Sequence, residues 1–186
     1  MGSPLSDTIA EVLLQDIENT YIKNILDTQT ITFYSRYVDD ILTIYSTKTS
    51  TAESLCDHIN RIHSSLQFTP TPEENNSVSF LDLLLTRHKN QIEIDIYRKP
   101  TATDTTINFM SNRPTEHKMA AYRYLINRMT ALTLTLEKRK TERMRIHDIN
   151  NNNKFPKHII TRLEKQIQIK AQTNPKQCDK TNAITT

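Results

Sequence analysis

The sequence predicts an α+β fold over residues 1–100, followed by a basic three-helix segment over 101–171 and a polar tail over 172–186 that is expected to be disordered. Three observations carry this prediction. Apolar residues recur at helical spacing near the start, short β-branched runs alternate with polar turns in the middle, and after Pro114 the period returns to that of a helix with Lys and Arg in excess.

Taken in order, Ser3-Pro4 reads as a helix start, with Ser as N-cap and Pro at the first helical position. Leu5, Ile9, Val12, Leu13 and Ile17 keep an apolar stripe, so a helix is expected from about 4 to 24. Ile31–Tyr37 and Ile41–Tyr45 are rich in β-branched and aromatic residues and flank the polar pair Asp39-Asp40, which predicts a β-hairpin. Residues 50–65 read as a helix with Leu55, Ile59 and Ile62 on one face.

The run 70–76 is a loop, and Val78–Arg87 is expected as a single apolar strand. Gln91–Arg98 alternates Ile92, Ile94 and Ile96 with Glu93, Asp95 and Tyr97, and His88-Lys89-Asn90 makes the turn before it. Ala121, Tyr122, Leu125, Ile126 and Met129 mark a helix after Pro114. Residues 137–149 form a second, highly charged one. Asn150–Asn153 reads as a break, Leu132–Leu136 as a linker, and Ile159, Ile160, Leu163 and Ile167 as a third helix. No internal repeat is visible.

Composition narrows the class. The chain has 186 residues, 36% of them hydrophobic, a single Gly and two Cys. Cys56 and Cys178 form no ligand pattern, which points to a reducing compartment without a disulfide framework. No basic stretch precedes an apolar core at the N-terminus, and runs such as Leu83-Leu84-Leu85 are too short to span a bilayer. An intracellular location, nuclear or cytoplasmic, follows as the expectation. Residues 1–115 hold 9 Lys/Arg against 15 Asp/Glu, whereas 116–170 hold 13 against 5. An acidic half suited to metal is followed by a basic half suited to a polyanion.

The sharpest feature is Phe33-Tyr34-Ser35-Arg36-Tyr37-Val38-Asp39-Asp40-Ile41-Leu42. Adjacent carboxylates repel, and a divalent cation relieves that repulsion. Mg²⁺ takes hard oxygen ligands, usually one or two carboxylates plus phosphates, and nucleotidyl transfer uses two such ions roughly 3.5–4 Å apart. Asp is also favoured in ordinary turns. Two-residue hairpin loops, however, prefer Asn-Gly or Asp-Gly over Asp-Asp. On spacing alone both readings stand.

Tyr37-Val38-Asp39-Asp40 resembles the catalytic hairpin motif of reverse transcriptases, and Gly2-Ser3-Pro4-Leu5-Ser6 resembles the loop-helix motif that precedes it there. Phe80-Leu81-Asp82 resembles the primer-grip hairpin. Ile96-Tyr97-Arg98-Lys99-Pro100-Thr101 and Pro114-Thr115-Glu116-His117-Lys118-Met119 are similar to stretches of Penelope-like retroelements. The resemblance spans about residues 1–165, with its motifs in family order.

It implies RNA-directed DNA polymerisation, with 1–100 as the C-terminal part of a palm and the basic segment as a thumb or a helix-turn-helix-like module. By position, Asp39 and Asp40 would be the catalytic metal ligands for Mg²⁺ or Mn²⁺. Gly2, Ser3, Pro4 and Tyr37 would meet template and nucleotide. Phe80 and Leu81 would hold the primer strand, with Arg98 and Lys99 available to phosphates. The implied partners are an RNA template and a DNA primer, with no membrane.

The family also needs an aspartate on an earlier palm strand, and fingers residues that hold the triphosphate. Met1 falls inside the family pattern, so a truncated copy is expected, inactive as a polymerase on its own. A non-catalytic nucleic-acid-binding role for the basic helices is the alternative. Cys56, His58 and His63 lack a second ligand pair for zinc. The match of Met1–Ser6 to a myristoylation signal is read as accidental.

Overall fold

The computed structural model describes residues 5–24, 31–64, 66–89 and 91–173. With one Gly in the whole chain, left-handed backbone falls to other residues, and Val38, Asn75, Asn76, Leu81 and Lys154 all take positive φ. Each sits at a chain reversal. The architecture is α+β, in two compact units that meet in sequence between Leu81 and Asp82.

The first unit opens with α1 (Ser6–Ile17), which runs on through a π-helical turn, Glu18–Ile22. Leu5 stands at its N-cap position without a side-chain cap, and the expected Ser3-Pro4 start lies outside the described residues. The apolar stripe is buried only at its C-terminal end, at Ile17 and Ile22; Ile9 and Val12 stay 66% and 63% exposed. β1 (Ile31–Tyr37) and β2 (Asp40–Tyr45) pair antiparallel, with a register irregularity between Ile31 and Phe33. α2 (Ala52–Ile62) is capped by Thr51, whose hydroxyl accepts from the Ser54 amide. Leu55 and Ile59 are its buried face. Asn75-Asn76 supply the two positive φ values of a type I′ turn, and Glu74 and Ser77 bridge across it.

The expected strand over 78–87 is in fact two. β3 (Ser77–Phe80) ends at Leu81, whose φ of 56° reverses the chain before β4 (Leu83–His88). The largely apolar run hid the turn, because Leu is not a residue that signals left-handed backbone.

In the second unit β4 pairs antiparallel with β5 (Gln91–Ile96) in the register His88↔Gln91 to Leu83↔Ile96. Three helices follow: α3 (Thr115–Ala131), α4 (Leu136–Asn152) and α5 (Lys157–Thr173). Their core joins Met119, Tyr122, Ile126 and Met129 to Ile146, Ile149, Phe155, Ile160 and Leu163, with Ile96 of β5 packed against it. The β4–β5 hairpin therefore clusters with the helices in the second compact unit, and the division expected near residue 100 lies at Leu81 instead. Charge reinforces this. Lys138 of α4 reaches Glu93 at 2.9 Å and Asp95 at 3.3 Å, and Arg128 of α3 lies 3.5 Å from Asp82.

The asparagine run also behaves differently from expectation. α4 continues through Asn152 and closes in a Schellman motif. The Lys154 amide donates to the Asn151 carbonyl and the Phe155 amide to that of Asn150, both at 3.1 Å, with Lys154 at φ 60° where Gly is usual. Asn150–Asn152 form the last turn of the helix, where Asn150 is buried and its Nδ2 donates to the Phe155 carbonyl at 3.2 Å, close to the helix ends that Asn usually favours. Asn153 is buried and fastens the loop before α3. Its Nδ2 donates to the carbonyls of Asp104 (3.2 Å) and Ile149 (2.7 Å), and its Oδ1 accepts from the Thr106 amide at 3.0 Å.

Removing that side chain strands several buried polar groups. Asn153→Ala is expected to destabilise the second unit by about 2–3 kcal/mol in urea unfolding followed by circular dichroism. The exposed neighbour Asn151→Ala should stay within about 0.5 kcal/mol of wild type.

Candidate metal-binding hairpin

Strand alternation decides which side chains share a face of the β1–β2 hairpin. Tyr34 and Arg36 point one way, with their partners Thr43 and Ile41; Phe33, Ser35 and Tyr37 point the other, with Ile44, Leu42 and Asp40. The two-residue loop is Val38-Asp39, and Tyr37 pairs with Asp40. The acidic pair thus straddles the turn: Asp39 lies in the loop and Asp40 is the first residue of β2, one position later than a turn centred on both carboxylates. Both are exposed, and neither side chain carries a hydrogen bond or ion pair among the described residues.

Val38 has φ 56° while Asp39 keeps negative φ, the φ pattern of a type II′ hairpin turn. Glycine is the usual occupant of that first position. A β-branched residue there is an outlier costing about 1–3 kcal/mol, tolerated only where surroundings over-determine it.

Those surroundings are one guanidinium. Arg36 uses all five of its N–H donors. Nε donates to Glu18 Oε1 at 2.6 Å, and Nη2 to Glu18 Oε2 at 3.3 Å and Glu11 Oε1 at 3.0 Å. Nη1 donates to Glu11 Oε2 and to the Val38 carbonyl, both at 3.0 Å. The Arg36 side chain is only 8% exposed. Its partners come from α1, where Glu11 lies on the regular helix and Glu18 opens the π turn. The Tyr34 hydroxyl adds a bond to Glu18 at 2.9 Å.

Electrostatics follow the geometry. The hydrogen bonds from Arg36, then from Gln15, hold the Glu11 carboxyl below its usual value, and its two glutamates keep Arg36 charged. Burial, and next the neighbouring Glu18 carboxylate, push the Tyr34 hydroxyl up.

Tyr37, Asp39 and Asp40 are thus brought together, with Phe33, Tyr37 and Ile44 forming an exposed apolar surface on the face that carries Asp40. Gly2, Ser3 and Pro4 lie outside the described residues. Phe80 ends β3 half-buried, with Leu81 in the turn after it. Arg98 corrects an expectation. Its guanidinium is paired with the buried Glu142 of α4, so it holds the second unit together instead of standing available to phosphates. Lys99 is exposed. Arg36, which sequence reasoning passed over, is the residue around which the hairpin is organised. The available signal was a basic residue on the inward-alternating face of a strand facing an acid-bearing helix.

Two carboxylates on a rigid tip suit a hard divalent cation, which binds through one or two carboxylates with water or phosphate oxygens completing its shell. Asp39 and Asp40 are the residues that would hold Mg²⁺ or Mn²⁺. Among the described residues no group of three or more His, Cys, Asp or Glu forms a metal-binding set. No described helix is long and apolar enough to cross a membrane.

No family model, curated protein or solved structure matches this chain.

The depressed Glu11 carboxyl gives a signed pH dependence. Its contribution to stability is complete above the ordinary carboxylate value of 4.5 and is lost as pH falls through the lower folded value. Thermal melts of wild type are expected to fall on acidification below that point, and Glu11→Gln should flatten that slope.

Proposed function

We propose that this chain is the metal-bearing palm portion and helical thumb of a Penelope-like reverse transcriptase, in which Asp39 and Asp40 hold Mg²⁺ or Mn²⁺ for two-metal nucleotidyl transfer. The single observation that supports this reading is the exposed, unpartnered carboxylate pair straddling a strained hairpin tip. Bound there, the ion supplies charge neutralisation for the attacking primer oxygen and the leaving phosphates. The chain's own contribution is placement. The hairpin fixes the carboxylates at its tip, and Tyr37, Phe33 and Ile44 offer an apolar surface on Asp40's face for a base and sugar. Phe80 and Leu81 retain the proposed primer-grip role.

A second reading, a non-catalytic nucleic-acid-binding protein, draws on the basic helices. Much of their charge is engaged internally: Arg143 pairs with Glu164 at 2.5 Å and Arg145 with Asp104 at 3.4 Å. Lys140, Lys157, Arg162, Lys165 and Lys170 remain exposed. Arg123 and Lys170 flank a cavity of about 270 Å³ between α3 and α5 over an apolar floor of Leu163 and Ile167. Both readings share a backbone contact that neutralises phosphates.

Manganese titration of residues 1–186, followed by the loss of free-ion electron paramagnetic resonance signal, tests the first reading. Binding is expected for wild type and not for Asp39→Asn/Asp40→Asn; equal binding by both proteins would sink it. Because the described residues add no third carboxylate to the pair, primer extension by residues 1–186 alone is expected to be absent with either metal. Duplex binding by the basic helices should fall steeply with salt and ignore sequence. Discrimination among duplexes would point instead to a recognition helix.

A further inference from the structure

We infer that Arg36 is a positioning residue for the metal-holding turn: its guanidinium, anchored on Glu11 and Glu18 of α1, clamps the Val38 carbonyl and so keeps Val38 in the left-handed conformation that places Asp39 and Asp40 on either side of the reversal. This inference rests on the proposed metal-binding role of Asp39 and Asp40.

The argument has three physical steps. A Val at φ 56° does not stay there unaided, because its branched Cβ crowds the backbone in the left-handed region, where Gly fits freely. One hydrogen bond from the side chain two residues earlier reaches the Val38 carbonyl, and the donor is immobile because its other four N–H groups are held by two carboxylates. That saturation also settles how Arg36 acts. It lies on the opposite face of the hairpin from Asp40 and has no donor left to offer a carboxylate at the tip, so it acts through the backbone and does not compete with a metal for its ligands. The two glutamates outweigh its single positive charge, which leaves the brace net negative and compatible with a nearby cation.

Lysine cannot take over this part. An ammonium has three donors and no fork, so it cannot hold Glu11 in a bidentate pair, hold Glu18 and reach the Val38 carbonyl together. Glycine at position 38 can relieve the need for it, since the turn then adopts its φ without a brace.

The test is Mn²⁺ affinity by paramagnetic resonance, measured well below the melting transition, with helicity followed in parallel. Asp39→Asn/Asp40→Asn serves as the control. Arg36→Gln and Arg36→Lys are each expected to weaken Mn²⁺ binding on the order of tenfold, the scale of losing an outer support of a metal site. Val38→Gly added to Arg36→Gln should recover most of that loss. Rescue by a change at the turn is not expected if Arg36 only joins α1 to the hairpin, so an unrescued double variant overturns the inference. Unchanged affinity in folded Arg36→Lys overturns it as well. Failure of wild type to bind more Mn²⁺ than the Asp39/Asp40 control instead removes the underlying metal reading, and the two failures are thereby distinguished. Should Arg36→Gln alone not fold, the Arg36→Lys and Val38→Gly/Arg36→Lys pair carries the same comparison.

Discussion

The guanidinium of Arg36 ties the N-terminal helix to the tip of the acidic hairpin, and the arrangement of the first unit depends on that tie. Among the described residues the unit has few buried apolar side chains, Ile17, Ile22, Ile31, Leu55 and Ile59, and most of the α1 stripe faces outward. Apolar burial near 25 cal/mol per Å² is therefore a thin resource there. A five-donor ionic junction, with the Arg36 side chain buried and Glu11 half exposed, takes on a structural role that packing performs elsewhere. Such a junction is directional, which packing is not, and its direction is toward the carbonyl of the one residue in the hairpin whose backbone is strained.

The second unit solves the same problem with the opposite resource. Its core draws large side chains from all three helices, with Tyr122 wholly buried and stacked edge-on against Phe155 at 4.7 Å between ring centres. Polar side chains buried beside it are bonded into loops: Asn153 to Asp104 and Thr106, and Asn150 Nδ2 to the Phe155 carbonyl. The charges of the β4–β5 hairpin and the helices are complementary and largely face one another. Glu93 and Asp95 meet Lys138, while Arg98 and Arg128 converge on Glu142. The acidic and basic stretches visible along the chain thus partly neutralise each other inside one unit. Exposed cations such as Lys140 of α4 and Lys157, Arg162, Lys165 and Lys170 of α5 stand outside those pairs.

Local patterns made most elements readable in advance. The period of Ala121 to Met129 gave α3, the Ile-rich alternation gave β5, and two β-branched runs around a short polar turn gave the β1–β2 hairpin. What misled was backbone behaviour that side-chain type does not announce. Leu81 reverses a run of apolar residues that otherwise reads as one strand, and Lys154 occupies a left-handed position that normally belongs to Gly. The acidic pair was legible as chemistry, but its placement about the turn, with Val38 and not Asp40 in the loop, was not. Arg98 was read as a phosphate contact because an exposed cation and an ion-paired one look identical in sequence.

The amino-acid sequence alone determined the α+β class, the presence of a hairpin bearing two adjacent carboxylates, and the charge asymmetry between the halves. These follow from residue periodicity and composition, which act over a few residues. Tertiary structure decided where the units divide, which cations are engaged, and that Arg36 braces the turn. Those outcomes draw on contacts between residues far apart in the chain, such as Arg36 with Glu18, 18 positions away, and Arg98 with Glu142, 44 positions away, and no local pattern encodes such a meeting.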